Sequence, residues 1–215
     1  MATAYAPGFP LPLRNALAAL VIAALDDDEA AAGLAWLVDP AGAPAAALAG
    51  RLARLHLIED GRLLEVHAPH RDAVHRHAVR GLRAAAAYRA APVADGAPTI
   101  PGAVARAVAL WNEALFFEVH EVLEVAWKSA TGGPRQALQG VIQIAVALHH
   151  HAHRNLRGAR TLMREGRERL DAHRAALPTL DADGLLAATA AHDAAFARGE
   201  AHVTLALPRL ALASA

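Results

Sequence analysis

The chain contains no cysteine. Disulfides, thiolate zinc sites, iron–sulfur clusters and cysteine nucleophiles are thereby excluded, so any metal must be held by nitrogen and oxygen ligands. Aromatic residues are scarce, at 4%. Lysine occurs once, at Lys128, so arginine and histidine carry nearly all the basic character. Neither sign of charge is in excess, with 21 Lys and Arg against 21 Asp and Glu. This balance argues against a uniformly basic nucleic-acid coat and against an acidic tail, while leaving local patches open. No apolar run approaches the roughly 20 residues that span a bilayer. The longest early run, Ala16 to Leu25, resembles a short signal-peptide core. It runs straight into Asp26-Asp27-Asp28-Glu29 without a small-residue cleavage site, so it reads as a buried first helix. A cytoplasmic protein without a membrane partner is expected.

What is present favours helix. The chain has 215 residues, enough for one large domain or two small ones with a real core. Hydrophobic residues make up 55% and charged residues 20%, a globular composition. Alanine alone accounts for about a quarter of the residues, and it is the strongest helix former. The fold class expected is mainly α. An all-α bundle should follow a small helical domain that carries a β-hairpin wing.

The punctuation divides the chain. Residues 1–10 read as a loose tail broken by Pro7, Gly8 and Pro10. A small domain follows over 11–90, with helices near 12–25, 29–38, 44–56 and 69–90. The acids at 26–29 suit the positive N-terminus of the second helix. Asp60-Gly61 between Leu57-Ile58-Glu59 and Arg62-Leu63-Leu64 reads as a hairpin turn, since both positions tolerate positive φ. Three helices followed by a hairpin is the order of a winged helix. Such a module would meet nucleic acid through Arg51 and Arg54 near the third helix. Arg76, Arg80 and Arg83 share one face of the 69–90 helix and would contact phosphates.

Residues 91–102, rich in Pro and Gly, read as a linker. A bundle is expected over 103–200, with helices near 101–114, 115–130, 134–153, 155–173 and 182–198, and Asn155 as an N-cap. Residues 201–215 read as an extended apolar tail lying across the bundle.

One constellation has chemical potential. On a helical wheel, Leu115, Val119, Val122, Leu123 and Ala126 form a core face. Glu118, Glu121 and Lys128 fall on a more exposed side. A third sector holds Phe116, Phe117, His120, Glu124 and Trp127. His120 and Glu124 stand one turn apart, a spacing that lets imidazole and carboxylate share a metal or a hydrogen-bond partner. On the next helix, Gln136, Gln139, Gln143 and His150 form a polar stripe on an otherwise apolar cylinder. Buried amides need partners, so the stripe is expected to face His120 and Glu124. The expected pocket is lined by His120, Glu124, Gln139, Gln143 and His150, with Phe117 and Trp127 as walls. HExxE is not a zinc-protease motif, because that chemistry needs a second His at i+4, where this chain has Glu124. The arginines at 157, 160, 164 and 167 read as a solvated face, and most of His149, His150, His151 and His153 as solvated near a helix end.

Phe116 to Trp127, then Leu138-Gln139-Gly140-Val141-Ile142-Gln143-Ile144-Ala145, then Asn155-Leu156-Arg157-Gly158-Ala159 resemble the family catalogued as domain of unknown function 309. The resemblance covers about 103–170. It implies a helical bundle and no established activity. Its motif positions fall on Asn112, His120, Glu121, Glu124, Trp127, Gln139, Gly140, Gln143, Asn155, Gly158 and Ala159, and Glu121 is counted with the pocket. Three departures stand out: Ala114 and Arg154 replace glycines of the pattern, and Phe116 replaces a tyrosine. These should tighten the turn before the His helix and remove a phenol from the pocket.

Three functional readings follow. The first is a site where His120 acts as ligand or general base and Glu124 as ligand or orienter. A divalent metal held by His and Glu, or a small molecule, would bind there, with metal-assisted hydrolysis if the protein is an enzyme. The second is a nucleic-acid-associated adaptor. The third is a structural or protein-partner-binding protein whose polar stripe sets packing.

Overall fold

The computed structural model describes residues 8–91, 99–200 and 208–213. The chain is mainly α, as expected, and divides near residue 92 into two compact units.

In the first unit, helices α1 (Leu11–Ala24), α2 (Asp28–Val38) and α3 (Ala46–Arg54) precede strands β1 (Ile58–Glu59) and β2 (Arg62–Leu63), then α4 (Arg71–Ala90). Leu13, Leu17, Leu20, Leu34, Leu52 and Leu57 form its core. Asp27 caps α2 by accepting from the Glu29 and Ala30 amides at 2.8 and 3.2 Å. The hairpin is shorter than the sequence suggests, with two residues per strand. Its turn is as expected: Asp60 and Gly61 both have positive φ, 48° and 70°, the signature of a tight two-residue connection. Residues 65–70, between the hairpin and α4, form a 3₁₀ turn.

In the second unit, α5 (Ile100–Asn112), α6 (Phe116–Ser129), α7 (Gly132–Ala152), α8 (Leu156–His173) and α9 (Ala182–Ala197) pack in chain order, each against the next. Thr99 caps α5, and Asn155 caps α8 by accepting from the Gly158 amide at 3.0 Å. The most extensive seam joins α7 to α8. There Gly140 and Gly166 face each other so closely that a Cβ on Gly140 would lie 2.8 Å from the Leu170 nitrogen and 2.9 Å from the Gly166 oxygen. The turns on either side of the α6–α7 pair require unusual backbone. Ala114, before α6, has φ 57°, and Arg154, between α7 and α8, has φ 60°. These are the two departures from glycine in the family pattern. They place side chains in left-handed conformations that glycine adopts more cheaply.

Candidate functional site

α6 takes its direction from the apolar face anticipated above: Val119, Val122, Leu123 and Ala126 are all buried. The buried arc is wider than the wheel suggests, because α6 packs on both α5 and α7. Glu118, expected on the exposed side, is only 1% exposed. Phe116 is buried edge-on against Trp111, with ring centroids 5.3 Å apart. A tyrosine hydroxyl at 116 would therefore enter the core around Trp111 and would not line the α6 surface.

The expected His120–Glu124 couple is not formed. His120 Nδ1 lies 3.1 Å from Glu121 Oε1, and Glu124 Oε2 is 3.2 Å from Lys128 Nζ. All four side chains are partly or largely exposed, His120 at 29%. The Phe117 ring lies 6.2 Å from His120 and 6.1 Å from the His149 ring. The imidazole that reaches this side from α7 is therefore His149, where His150 was expected.

The amide stripe faces the other way. Gln143 Nε2 donates to Glu165 at 3.3 Å, and its oxygen accepts from Arg169 Nε at 3.1 Å. The same guanidinium also donates to Gln136. The stripe therefore belongs to the α7–α8 seam, on the same side as Gly140. Gln139 is half-buried on α7. Sequence reasoning missed Arg169 and Glu165, although their i, i+4 spacing on α8 was a usable signal.

Trp127 takes an arginine of α7 as its neighbour. The Arg135 guanidinium lies 3.8 Å from its ring centroid and donates to the carbonyls of Trp127 and Ala130 at 2.9 and 3.2 Å. One arginine thus stacks on the indole and caps the open end of α6. His150 accompanies Asn155, with Nδ1 and Nδ2 3.2 Å apart. Burial, and secondarily the charge of His153, pushes its imidazole below the usual range. His151, expected in a solvated tract, is buried 4.7 Å from the Phe196 ring, whose other neighbour is His192. His192 is likewise pushed down, chiefly by burial and then by the charge of His151. Arg167, expected on a wet face, holds α9 through the Leu186 carbonyl and the Thr189 hydroxyl, with Asp193 at 3.5 Å.

The residues expected in one pocket thus take separate partners. Among the described residues, no three His, Asp or Glu side chains converge to hold a metal. Of two hollows among the described residues, one is lined by core residues including Leu123 and Leu138, and the other lies at 174–183 with Leu212 and Ala213. Neither is lined by His120 or Glu124.

The motif residues nevertheless occupy consecutive places in one helical array: α5 ends with Asn112, α6 carries His120 to Trp127, α7 carries Gln139 to Gln143, and Asn155 caps α8. Residues 104–162 match the family described as "Domain of unknown function (DUF309)". The chain also resembles an uncharacterised protein, YpuF of Bacillus subtilis (strain 168), at 41% identity over 69 residues. That match covers 32% of this chain and 40% of YpuF. No solved structure matches the chain.

In the first unit, the candidate nucleic-acid residues are also divided. Arg51 Nη1 lies 2.6 Å from Asp27 and 3.3 Å from Glu29. Its hydrogen bond, followed by that of the Ala30 amide, holds the Asp27 carboxyl below its ordinary range. Arg54, Arg76 and Arg83 are exposed, and Arg80 is half-buried beside His77. Arg89, at the end of the basic helix, donates to the carbonyls of Ala24 and Leu25 and to Asp28. No helix among the described residues is long and apolar enough to cross a membrane.

Proposed function

We propose that this chain is a partner-binding helical protein in which the polar stripe of the DUF309 region sets helix packing. The observation that carries this reading is Arg169, which grips both Gln136 and Gln143 from α8. Gln143, one of the two amides expected in the pocket, is thereby engaged inside a seam. His120 and Glu124, the two groups with catalytic or metal-binding potential, each turn to a different neighbour.

The first unit supports the same reading. Its element order is that of a winged helix, a module that serves protein contacts as well as DNA. The outward residues of α3 are Ala46, Ala47, Ala53 and Arg54, which offer one base-reading group. Arg51 is paired within the unit, and at the hairpin tip Arg62 stands opposite Glu59 beside Asp60, so the tip carries no excess of positive charge for phosphate.

Elemental analysis of the purified protein and of its His120→Ala variant tests this proposal, together with gel retardation on duplex DNA at low salt. The expected outcome is no stoichiometric metal in either protein and no retarded band. A divalent metal at one equivalent that disappears in His120→Ala would replace this reading with the metal-site one. Salt-sensitive retardation lost on changing Arg54 and Arg76 would favour the nucleic-acid adaptor.

A further inference from the structure

Among the described residues of the second unit, a non-helical segment is held by groups from two sides. Residues 208–213 run extended past the end of α5 and along 179–181. On one edge, the Asn112 side chain does the work of a neighbouring strand. Its Nδ2 donates to the Leu210 carbonyl at 3.0 Å, and its Oδ1 accepts from the Leu210 amide at 3.1 Å. Beside it, Trp111 Nε1 donates to the Pro208 carbonyl at 2.7 Å. On the other edge, the Asp181 amide donates to the Ala211 carbonyl and the Ala213 amide donates to the Thr179 carbonyl, at 3.1 and 3.0 Å. Leu180 and Leu212 form an antiparallel bridge pair.

The side chains alternate as a strand requires. Pro208 and Leu210 are buried, while Arg209 and Ala211 are exposed. Leu210, at 2% exposure, is buried beside Val104, Ala107, Leu123, Leu138, Val141 and Leu180, with which it lines one small apolar hollow. Residues of α5, α6 and α7 thus meet around a leucine that comes from outside the helical array. The recognition consists of main-chain bonds plus two buried side chains two residues apart. This is the general scheme by which proteins bind extended peptides: backbone bonds give affinity, and alternate pockets give selectivity.

We propose that the bundle carries a binding site for an extended Pro-x-Leu peptide, with residues 208–213 as its ligand held in cis. Asn112 reads the peptide backbone, Trp111 fixes the residue before the exposed position, and the hollow between α5, α6 and α7 takes the leucine. A partner protein presenting an extended Pro-x-Leu segment would compete with the resident one. Because a tethered ligand acts at high effective concentration, the site is closed until its own segment is displaced. The inference rests on the reading of the chain as a partner-binding protein and names the chemistry of that partner. It is independent of the Arg169 seam, so its failure would leave the metal and DNA measurements as they stand.

The test uses the full chain with Leu210→Asp, which disfavours seating of the resident segment. A fluorescent peptide of sequence Ala-Leu-Pro-Arg-Leu-Ala-Leu-Ala, copied from residues 206–213, is titrated by anisotropy, and helix content is followed by circular dichroism. The variant is expected to keep its helices and to bind the peptide saturably, at least about tenfold more tightly than the unmodified chain. Adding Asn112→Ala should remove that binding. The proposal is overturned if Leu210→Asp loses its helices, since the segment is then an integral part of the core. It is equally overturned if the folded variant ignores the peptide, if the unmodified chain binds it as tightly, or if Asn112→Ala has no effect.

Discussion

The two sides of α7 are built from one motif string, and they differ in kind. Toward α8, Gly140 and Gly166 bring two backbones into contact, and the polar groups beside them form a half-buried network of Gln136, Gln143, Glu165 and Arg169. Toward α6, apolar side chains fill the contact, Arg135 crosses only at its end to reach Trp127, and the polar groups along its edge pair locally, His120 with Glu121 and Glu124 with Lys128. The difference follows from distance. Where helices touch through glycines, side chains one turn away must cross the seam and find partners there. Where larger side chains hold helices apart, edge residues stay half in water and take whatever neighbour their own helix supplies. A shared motif therefore does not imply a shared pocket.

Breaking the closer seam should have the largest effect. Gly140→Ala places a Cβ within 3.0 Å of three backbone atoms of α8, none of which can swing aside. Alanine would gain about 1 kcal/mol of helix propensity, but overpacking against backbone costs more, so a net loss of about 1–3 kcal/mol is expected. Urea unfolding followed by circular dichroism measures it. An unchanged or raised midpoint would mean that the helices separate freely, and the contrast between the two seams would fail.

Arg169→Met comes next. Methionine keeps much of the stem's packing and removes the guanidinium, leaving the side-chain oxygens of Gln136 and Gln143 to find water. Hydrogen bonds to charged groups contribute roughly 1.5–3 kcal/mol, and these are partly exposed, so a loss of about 1–2 kcal/mol is expected. The same unfolding series reads it. A loss no larger than that of His120→Ala would show the network to be ornamental.

These two seams also mark what the sequence could and could not disclose. Features that depend on neighbours within a few residues were legible: the acidic start of α2, the Asn155 cap, the Asp60-Gly61 turn and the core face of α6. A helical wheel gives direction relative to a helix's own axis, and it does not say which neighbour lies there. The Gln stripe was therefore correctly seen as partner-seeking and wrongly aimed at His120. The same limit put Glu118 on the outside, because a helix packed on two sides buries more than one stripe. Arg167 could not be told from its solvated neighbours without α9 in place, and the Glu165–Arg169 spacing marked a pair without showing that it faces α7. Asn112 was legible as a motif residue, but its partner is 98 residues further along the chain, where no local pattern reaches.

The glycine departures offer a gain where the other changes give losses. Ala114 ends the approach to α6, and Arg154 joins α7 to α8, so each tests the turn at one seam. A left-handed non-glycine residue costs about 1–2 kcal/mol, and glycine returns part of that as unfolded-chain entropy. Ala114→Gly and Arg154→Gly should each stabilise by about 0.5–1 kcal/mol. Calorimetry of the two single variants and the double variant would show whether the gains add, as distant sites should. A destabilising Ala114→Gly would mean that the methyl group is needed for packing, and the turn would then be no strain point.

The smallest effect is expected at the residues that first looked most functional. His120 and Glu124 are partly exposed, and their pairings with Glu121 and Lys128 are local to one helix surface. Exposed pairs of this kind contribute little, so His120→Ala and Glu124→Gln should each shift stability by under about 0.5 kcal/mol. This near-neutrality is itself informative, because it separates two roles that a motif cannot. If His120→Ala costs as much as Arg169→Met, His120 is a structural member of the bundle and the seams are alike. If it costs almost nothing, the histidine contributes little to the fold, and any selective loss of binding or activity in the variant must be assigned to the exposed surface of α6.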